Sequence, residues 1–177
     1  MRPPKQKWEK PVQIKTERFV LKPLLPRHAT RKYLTWLRDD ASSRYISTAK
    51  KTRRIKDLQD YIKLFSNSKD CIFLRILTKK SNRHIGNIKY HPIDLEKKTA
   101  VMGILIGEIS WRGKGVANEV IRNTSNWLKN KMAIKRIVLG VSSKNLNAIR
   151  AYQKAGFYFP RKDSLIYKKN RMIKNLV

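Results

Sequence analysis

A turn that carries two glycines and two cations is the first feature of this sequence that could bind a ligand. It reads Arg112-Gly113-Lys114-Gly115 and lies between an apolar run that ends at Gly107 and a helical pattern that begins at Val116. Because glycine has no Cβ, its backbone can adopt positive φ and approach a ligand closely. A helix N-terminus offers unpaired N–H groups and a partial positive charge, which suits a phosphate. The stretch therefore predicts a phosphate cradle.

Residues that the sequence lacks limit the identity of this phosphate ligand. A P-loop requires Lys-Ser or Lys-Thr directly after the second glycine, but Val116 and Ala117 occupy those positions here. A dinucleotide-binding turn has a third glycine where Asn118 stands, and an acid about 20 residues later. No Asp or Glu lies between Glu119 and Asp163. Taken alone, the stretch leaves one alternative open, which is a structural turn whose two cations are solvated.

A second stretch, residues 145–157, has the form N-x-x-A-x-x-x-Y-x-K-x-G-F. Together with R-G-K-G-V-A, it resembles the GNAT superfamily of acetyl-CoA-dependent N-acetyltransferases. The superfamily's pyrophosphate loop is written Q/R-x-x-G-x-G/A, and this sequence departs from it at Ser110. Within the superfamily, the segments at 33–39, 44–46 and 84–88 resemble the branch containing ribosomal-protein-alanine acetyltransferases. That branch also includes relatives that acetylate amino sugars on nucleotides.

The resemblance implies which residues bind acetyl-CoA and which take part in catalysis. Tyr152 is implied as the proton donor to the departing thiolate. A phenol with an ordinary pKa near 10 can serve, because the thiolate that it protonates is a base of comparable strength. Asn145 is implied to contact the pantetheine or acetyl group, and it could also cap its helix. The strand from Met102 to Gly107 is implied to bind the pantetheine through its backbone. The implied acetyl-CoA-binding residues are Ile104, Ile106, Arg112, Gly113, Lys114, Gly115, Val116, Ala117, Asn145 and Tyr152.

The general base is the least specified part of the chemistry. The acceptor amine must attack unprotonated, so a group or a water must remove its proton. Glu108 lies next to the loop, where members of the superfamily place a base that acts through water. His91, His84 or a water alone are the alternatives. The three histidines, His28, His84 and His91, show no H-x-x-x-H spacing or acid partner, so no metal site is predicted.

The apolar pattern predicts the elements that would position these residues. Their order is β-α-α-β-β-β-α-β-α-β, which matches the GNAT fold of the α/β (α+β) class. That fold has a mixed twisted central sheet of about six to seven strands, flanked by about four helices and splayed where acetyl-CoA enters. The predicted elements are a strand within Val12–Leu25, a helix at His28–Arg38, a helix at Lys56–Ser66, strands at Cys71–Leu77, at His84–Ile93 (stopped by Pro92) and at Thr99–Ile106, a helix from Val116 to about Lys131, a strand at Ile137–Val141, a helix after Asn145 that ends at Gly156, and one or two strands from Phe157.

Length and composition predict one cytoplasmic domain. The 177 residues fit a single GNAT domain, with residues 1–10 as a loose N-terminal arm. The single cysteine, Cys71, excludes an intramolecular disulfide and fits a reducing compartment. Neither a secretory signal nor an apolar run of about 20 residues is present, so no membrane association is expected. A monomer or homodimer is expected.

A large positive charge guides the prediction of the acceptor. The chain has 42 Lys and Arg against 12 Asp and Glu, a net charge of +30. Such a charge attracts anions, but the cations are dispersed, which favours compositional bias over nucleic-acid binding. The patch Lys50–Lys56 would flank the acceptor side. We therefore expect acetyl transfer to a primary amine, with a nucleotide-linked amino sugar or another small molecule as the leading acceptor. The alternatives are N-terminal acetylation of a ribosomal or other protein, and a basic RNA- or ribosome-binding module without catalysis.

Overall fold

A computed structural model describes residues 12–39, 52–162 and 170–176. The expected N-terminal arm and the start of the Lys50–Lys56 patch lie outside these ranges. In chain order the elements are β1 (Ile14–Lys15), β2 (Phe19–Pro23), α1 (Arg31–Arg38), α2 (Ile55–Ser66), β3 (Ile72–Thr78), β4 (His84–Asp94), β5 (Thr99–Ile106), α3 (Val116–Met132), β6 (Arg136–Gly140), α4 (Leu146–Lys154) and β7 (Arg171–Asn175). Short 3-10 helices occupy Pro26–His28 and Ile109–Trp111.

One mixed sheet holds the seven strands in the order in which they follow along the chain. Neighbouring strands run antiparallel except β5 and β6, which are parallel and connected through α3. The described residues thus contain a seven-stranded mixed sheet with four α-helices, which confirms the predicted fold class. The parallel pair is the place where the sheet can open.

The two faces of the sheet carry separate apolar cores. On one face α3 and α4 cover the sheet, with Val120, Ile121 and Leu128 packed against strand residues such as Ile88. On the other face α1 and α2 form a second cluster around Leu58 and Phe73. Because side chains alternate along a strand, successive residues of β4 and β5 point to these different faces. We call the two faces the α3 face and the α1–α2 face.

Several element boundaries differ from the prediction, and the last strand begins at Arg171 rather than near Phe157. The single strand predicted within Val12–Leu25 is two strands, because Thr16 turns the chain by accepting the Phe19 N–H at its hydroxyl oxygen at 3.0 Å. Helix α1 begins at Arg31 rather than His28, since Thr30 accepts the Tyr33 N–H and caps the helix there. Strand β4 does not stop at Pro92.

Strand β4 continues past Pro92 because the ladder is irregular at that point. The pairing of β4 with β5 shifts register between Tyr90 and Ile93 and then resumes to Asp94. Proline has no N–H to donate, and at a bulge no ladder hydrogen bond is required of it. A proline therefore predicts a fault in the ladder as readily as the end of a strand.

Candidate active site

The sheet opens between β5 and β6. These strands pair through three residue pairs only, the last being Val101 with Val138. Beyond that point residues 102–106 of β5 keep β4 on one side, and no described strand pairs with them on the other. The opening forms a cleft of about 660 Å³, a volume that suits a cofactor or a substrate of ordinary size.

The cleft brings together most of the predicted site residues. Those that line it are Ile104, Ile106, Arg112, Gly113, Gly115, Val116, Ala117, Asn145 and Tyr152. Lys114 and Glu108 are not among its lining residues. Ser142 and Asn147, which the sequence reasoning did not single out, also line it. Their position after the end of β6, beside the parallel strand pair, is a signal that could have identified them.

The glycine turn has the backbone geometry predicted for it. Gly113 and Gly115 have φ values of 72° and 73°, in the left-handed region that glycine reaches without steric cost. A Cβ added at Gly113 would meet no heavy atom within 4 Å. Gly115 is the N-cap of α3, so the first N–H groups of that helix point out at the turn. The turn therefore fits the close approach of a phosphate.

The two cations of the turn differ in their surroundings. Arg112 is partly buried and donates to the carbonyl oxygens of Ile106 and Gly107 at 2.9 and 3.2 Å and to Asp39 at 2.8 Å. Its guanidinium thus fastens the turn to the end of β5. Lys114 is exposed. Of the two side chains, Lys114 is the one placed to meet a phosphate from solvent, and phosphate contacts by both remain predictions.

A buried carboxylate anchors the start of α3. Glu119 accepts hydrogen bonds from the Thr16 hydroxyl at 2.5 Å, the Arg18 backbone N–H at 2.8 Å and the Arg18 Nε at 2.7 Å. Arg18 also donates from Nη1 to the Lys114 carbonyl oxygen at 3.0 Å. The β1–β2 turn therefore holds the glycine turn in place. Sequence reasoning missed this role, although Glu119 is an isolated acid in the first turn of α3.

We expect Glu119→Gln to lower the free energy of unfolding by about 2 kcal/mol at pH 7, since charge-assisted hydrogen bonds are lost. Burial alone would raise the pKa of Glu119, but the Arg18 and Thr16 hydrogen bonds hold the pKa below its usual 4.5. The carboxylate's stabilisation is thus complete above pH 4.5 and is lost as the pH falls through the folded-state value. Urea denaturation between pH 7 and pH 3 measures this difference.

The exposed Glu96 provides the matched control for that substitution. Glu96→Gln makes the same chemical change in the β4–β5 turn and should leave stability nearly unchanged. A deficit in Glu119→Gln that stays constant as the pH falls would contradict the role given to the carboxylate charge.

Helix α4 presents the two polar residues of the second motif. Asn145 caps the helix, as anticipated, by accepting the Ala148 N–H at 3.2 Å. Tyr152 is half-buried and packs against Phe157, with 5.9 Å between ring centroids. Burial raises the pKa of Tyr152, so the phenol carries its proton at neutral pH. A protonated phenol at the wall of the cleft can act as an acid.

Glu108 lies outside the cleft and is surrounded by donors. It is buried and receives hydrogen bonds from Lys32 at 2.9 Å, from the Trp36 indole at 3.1 Å and from Arg83. Burial alone would raise the pKa of Glu108, but these donors hold the pKa below its usual value. A charged, paired carboxylate accepts a proton poorly. Its contacts favour a role in holding α1 and β4 to the end of β5, and its function as a general base stays a prediction.

The alternative bases occupy the neighbouring hairpin. His84 Nε2 lies 3.0 Å from the Gly86 carbonyl oxygen and 2.8 Å from Asn87 Oδ1, and burial lowers its pKa. His91 Nε2 lies 3.6 Å from Asp70. Among the residues that the structure describes, no group of three or more His, Cys, Asp and Glu side chains could hold a metal ion.

Comparison with known proteins agrees with this geometry. A family model described as an acetyltransferase (GNAT) domain matches residues 18–158. An N-acetyltransferase 9-like protein of Caenorhabditis briggsae is 22% identical over 152 residues, covering 81% of this chain and 75% of the relative. Within the described ranges, no helix is long and apolar enough to cross a membrane.

Solved structures share the fold at low sequence identity. The microcin C7 self-immunity acetyltransferase MccE, in complex with acetyl-CoA and AMP, has a TM-score of 0.74 at 18% identity, covering 90% of this chain and 93% of its own. A putative ribosomal-protein-serine acetyltransferase from Vibrio cholerae has a TM-score of 0.73 at 11% identity, covering 94% and 98%. Likeness at these identities concerns the fold alone.

Proposed function

Because the chain belongs to the GNAT acetyltransferase family, we propose that its cleft binds acetyl-CoA and that the protein transfers the acetyl group to a primary amine. The predicted family and acyltransferase class are confirmed by the family match. The donor site, the roles of individual residues and the acceptor are our proposal.

One observation carries the donor site: a single cleft joins a phosphate-binding turn to a bare strand edge and a protonated phenol. Gly113 and Gly115 lie at the turn, and residues 102–106 of β5 have backbone groups free of a strand partner on the β6 side. Tyr152 lines the same cleft. Acetyl-CoA has a pyrophosphate, an amide-containing pantetheine arm and a thioester, and these three features match the three parts of the cleft.

The cleft residues have distinct proposed roles. The N–H groups at the start of α3, with Lys114, hold the pyrophosphate. The β5 edge from 102 to 106 pairs with the pantetheine amides and orients the thioester, with Asn145 as a further contact. Tyr152 donates a proton to the leaving sulfur, because its raised pKa keeps it protonated. A water, or one of His84, His91 and Glu108, takes the proton of the amine.

The acceptor is proposed to approach on the α1–α2 face. A Cβ added at Gly103, on β5, would meet nothing within 4 Å, so the face is open there. Lys89 pairs with Gly103 across the β4–β5 ladder, and its Nζ lies 2.7 Å from the Tyr61 hydroxyl and 3.5 Å from the Phe65 ring centroid. A cation fixed beside the open face favours an acceptor with negative charge. A nucleotide-linked amino sugar has that charge.

We expect kcat/KM for a nucleotide-linked amino sugar to exceed that for the free amino sugar, and to fall as salt screens the attraction. Basic N-terminal peptides should be poor acceptors at low salt, because a chain of net charge +30 repels them. The measurement is initial-rate acetylation of this panel at several ionic strengths, with total acetyl-CoA turnover recorded.

The panel separates the competing functions. If the enzyme prefers peptides, or if its rate with the sugar nucleotide does not change with salt concentration, the acceptor is a protein N-terminus and not the amino sugar. Binding of acetyl-CoA without turnover of any amine would favour the basic binding module without catalysis.

A further inference from the structure

A second cavity lies on the α1–α2 face, away from the cleft. It has a volume of about 470 Å³ and is lined by residues of β2 and β3, of the 3-10 helix at Pro26–His28 and of the end of α2, and by the two residues before β1, Val12 and Gln13. The residues that line it and those that line the cleft do not overlap. Pro23, Leu25 and Phe73 give it apolar walls. A cavity of this size can enclose a small organic molecule.

Positive groups converge on this cavity without an acid to balance them. The cations Lys22, Arg27 and Arg75 line it together with His28, and no Asp or Glu is among its described lining residues. Lys22 and Arg75 are cross-strand partners of β2 and β3, so their side chains leave the same face. None of these four residues joins an ion pair within the described part of the chain.

Arg75 has a donor that the protein does not satisfy. Its Nε is fully buried and has no hydrogen-bond partner. Because that atom has no surface open to the cavity, a ligand would meet the part-exposed remainder of the Arg75 side chain. Burial and the charge of Arg27 also lower the pKa of Arg75, because both disfavour the charged form of its guanidinium.

His28 is a neutral donor in the same cavity. Burial, followed by the charges of Arg75, Arg27 and His84, lowers the pKa of His28 to about 4. Its Nδ1 accepts the Leu25 backbone N–H at 2.9 Å, so the proton of the neutral ring is on Nε2. The cavity thus offers guanidinium, ammonium and imidazole N–H donors together, and no side-chain carboxylate acceptor.

We propose that this cationic pocket, lined by Lys22, Arg27, Arg75 and the neutral His28, binds a small amphipathic anion whose phosphate or carboxylate meets the cations and whose apolar body packs on Pro23, Leu25 and Phe73. An anion pairs with the cations of Lys22, Arg27 and Arg75, which join no ion pair within the described part of the chain, and offsets their mutual repulsion. This site is separate from the proposed acetyl-CoA cleft and does not depend on the acetyl-transfer proposal.

The test is direct binding to the full chain by calorimetry. Phenyl phosphate and benzoate are the probes, and benzyl alcohol is the neutral analogue. We expect wild type to bind at least one anion at about 0.15 M salt and to show no binding of benzyl alcohol. Arg75→Gln should weaken anion binding by at least about tenfold and leave acetyl-CoA affinity unchanged. The tighter of the two anions identifies the head group.

Two further variants keep the test decisive. Lys80→Gln removes the same charge from the exposed β3–β4 turn and should change affinity by less than about twofold. Arg27 is exposed, so Arg27→Gln should fold even if Arg75→Gln does not, and it should weaken binding several-fold. Absence of anion binding to wild type, equal binding of benzyl alcohol, or equal weakening by Lys80→Gln would overturn the proposal.

Discussion

We expect Tyr152→Phe to lower kcat for acetyl transfer by about 10²- to 10⁴-fold, the range typical of a positioned general acid. The substitution removes one hydroxyl and keeps the ring, so the contact with Phe157 at 5.9 Å persists and the fold should be retained. Without the phenol, the thiolate must leave unprotonated or take its proton from water. Rapid-quench measurement of the chemical step, with the acetyl-CoA dissociation constant determined separately, tests this expectation.

Tyr158→Phe is the matched control for this change. Tyr158 lies outside the cleft, and its hydroxyl accepts a hydrogen bond from Asn175 at 2.9 Å at an exposed site. Loss of this hydroxyl should leave kcat within about twofold of wild type, as expected for a substitution at an exposed position away from the site. If Tyr152→Phe keeps the wild-type rate while chemistry is rate-limiting, Tyr152 is a packing residue and another group supplies the proton.

We expect Gly115→Asp to weaken acetyl-CoA binding by about 100-fold. Gly115 caps α3 with φ of 73°, so a carboxylate there stands where the pyrophosphate is expected. Two like charges roughly 4–6 Å apart near a protein surface repel by about 3 kcal/mol, and salt reduces this value. Asp tolerates left-handed backbone better than most residues, so the helix should survive. Calorimetry with acetyl-CoA measures the effect.

Two companion variants separate charge from strain. Gly115→Asn has nearly the same shape without the charge, so the difference between the Asn and Asp variants reports the effect of the charge, which the Arg18 guanidinium, 3.7 Å from a Cβ at residue 115, partly offsets. Gly156→Asp places the same residue at another positive φ, 88°, outside the cleft, and should leave acetyl-CoA affinity unchanged. If wild type and a folded Gly115→Asp variant bind acetyl-CoA with equal affinity, the pyrophosphate does not bind at this turn.

Local patterns in the sequence determined most of the fold and the backbone of the site. Apolar periodicity predicted the helices and strands, because burial of one face repeats with the period of the element. The glycines at 113 and 115 predicted positive φ, and the segment from Asn145 to Gly156 predicted a capped helix with a left-handed end; all are present. These features depend on a residue and its near neighbours, which the sequence displays directly. The element boundaries at Thr16, Thr30 and Pro92 were harder to predict, since each depends on a single side-chain contact or a register shift.

Only the tertiary structure decided what the polar side chains of the site contact. Glu119 meets Thr16 and Arg18 across more than 100 residues of sequence. Glu108 is enclosed by Lys32, Trp36 and Arg83, which come from α1 and the β3–β4 hairpin. A side chain's charge state and partners depend on which strands are neighbours and in what register. That information arises when the sheet assembles, because no local pattern along the chain records the distance between residues that are remote in sequence.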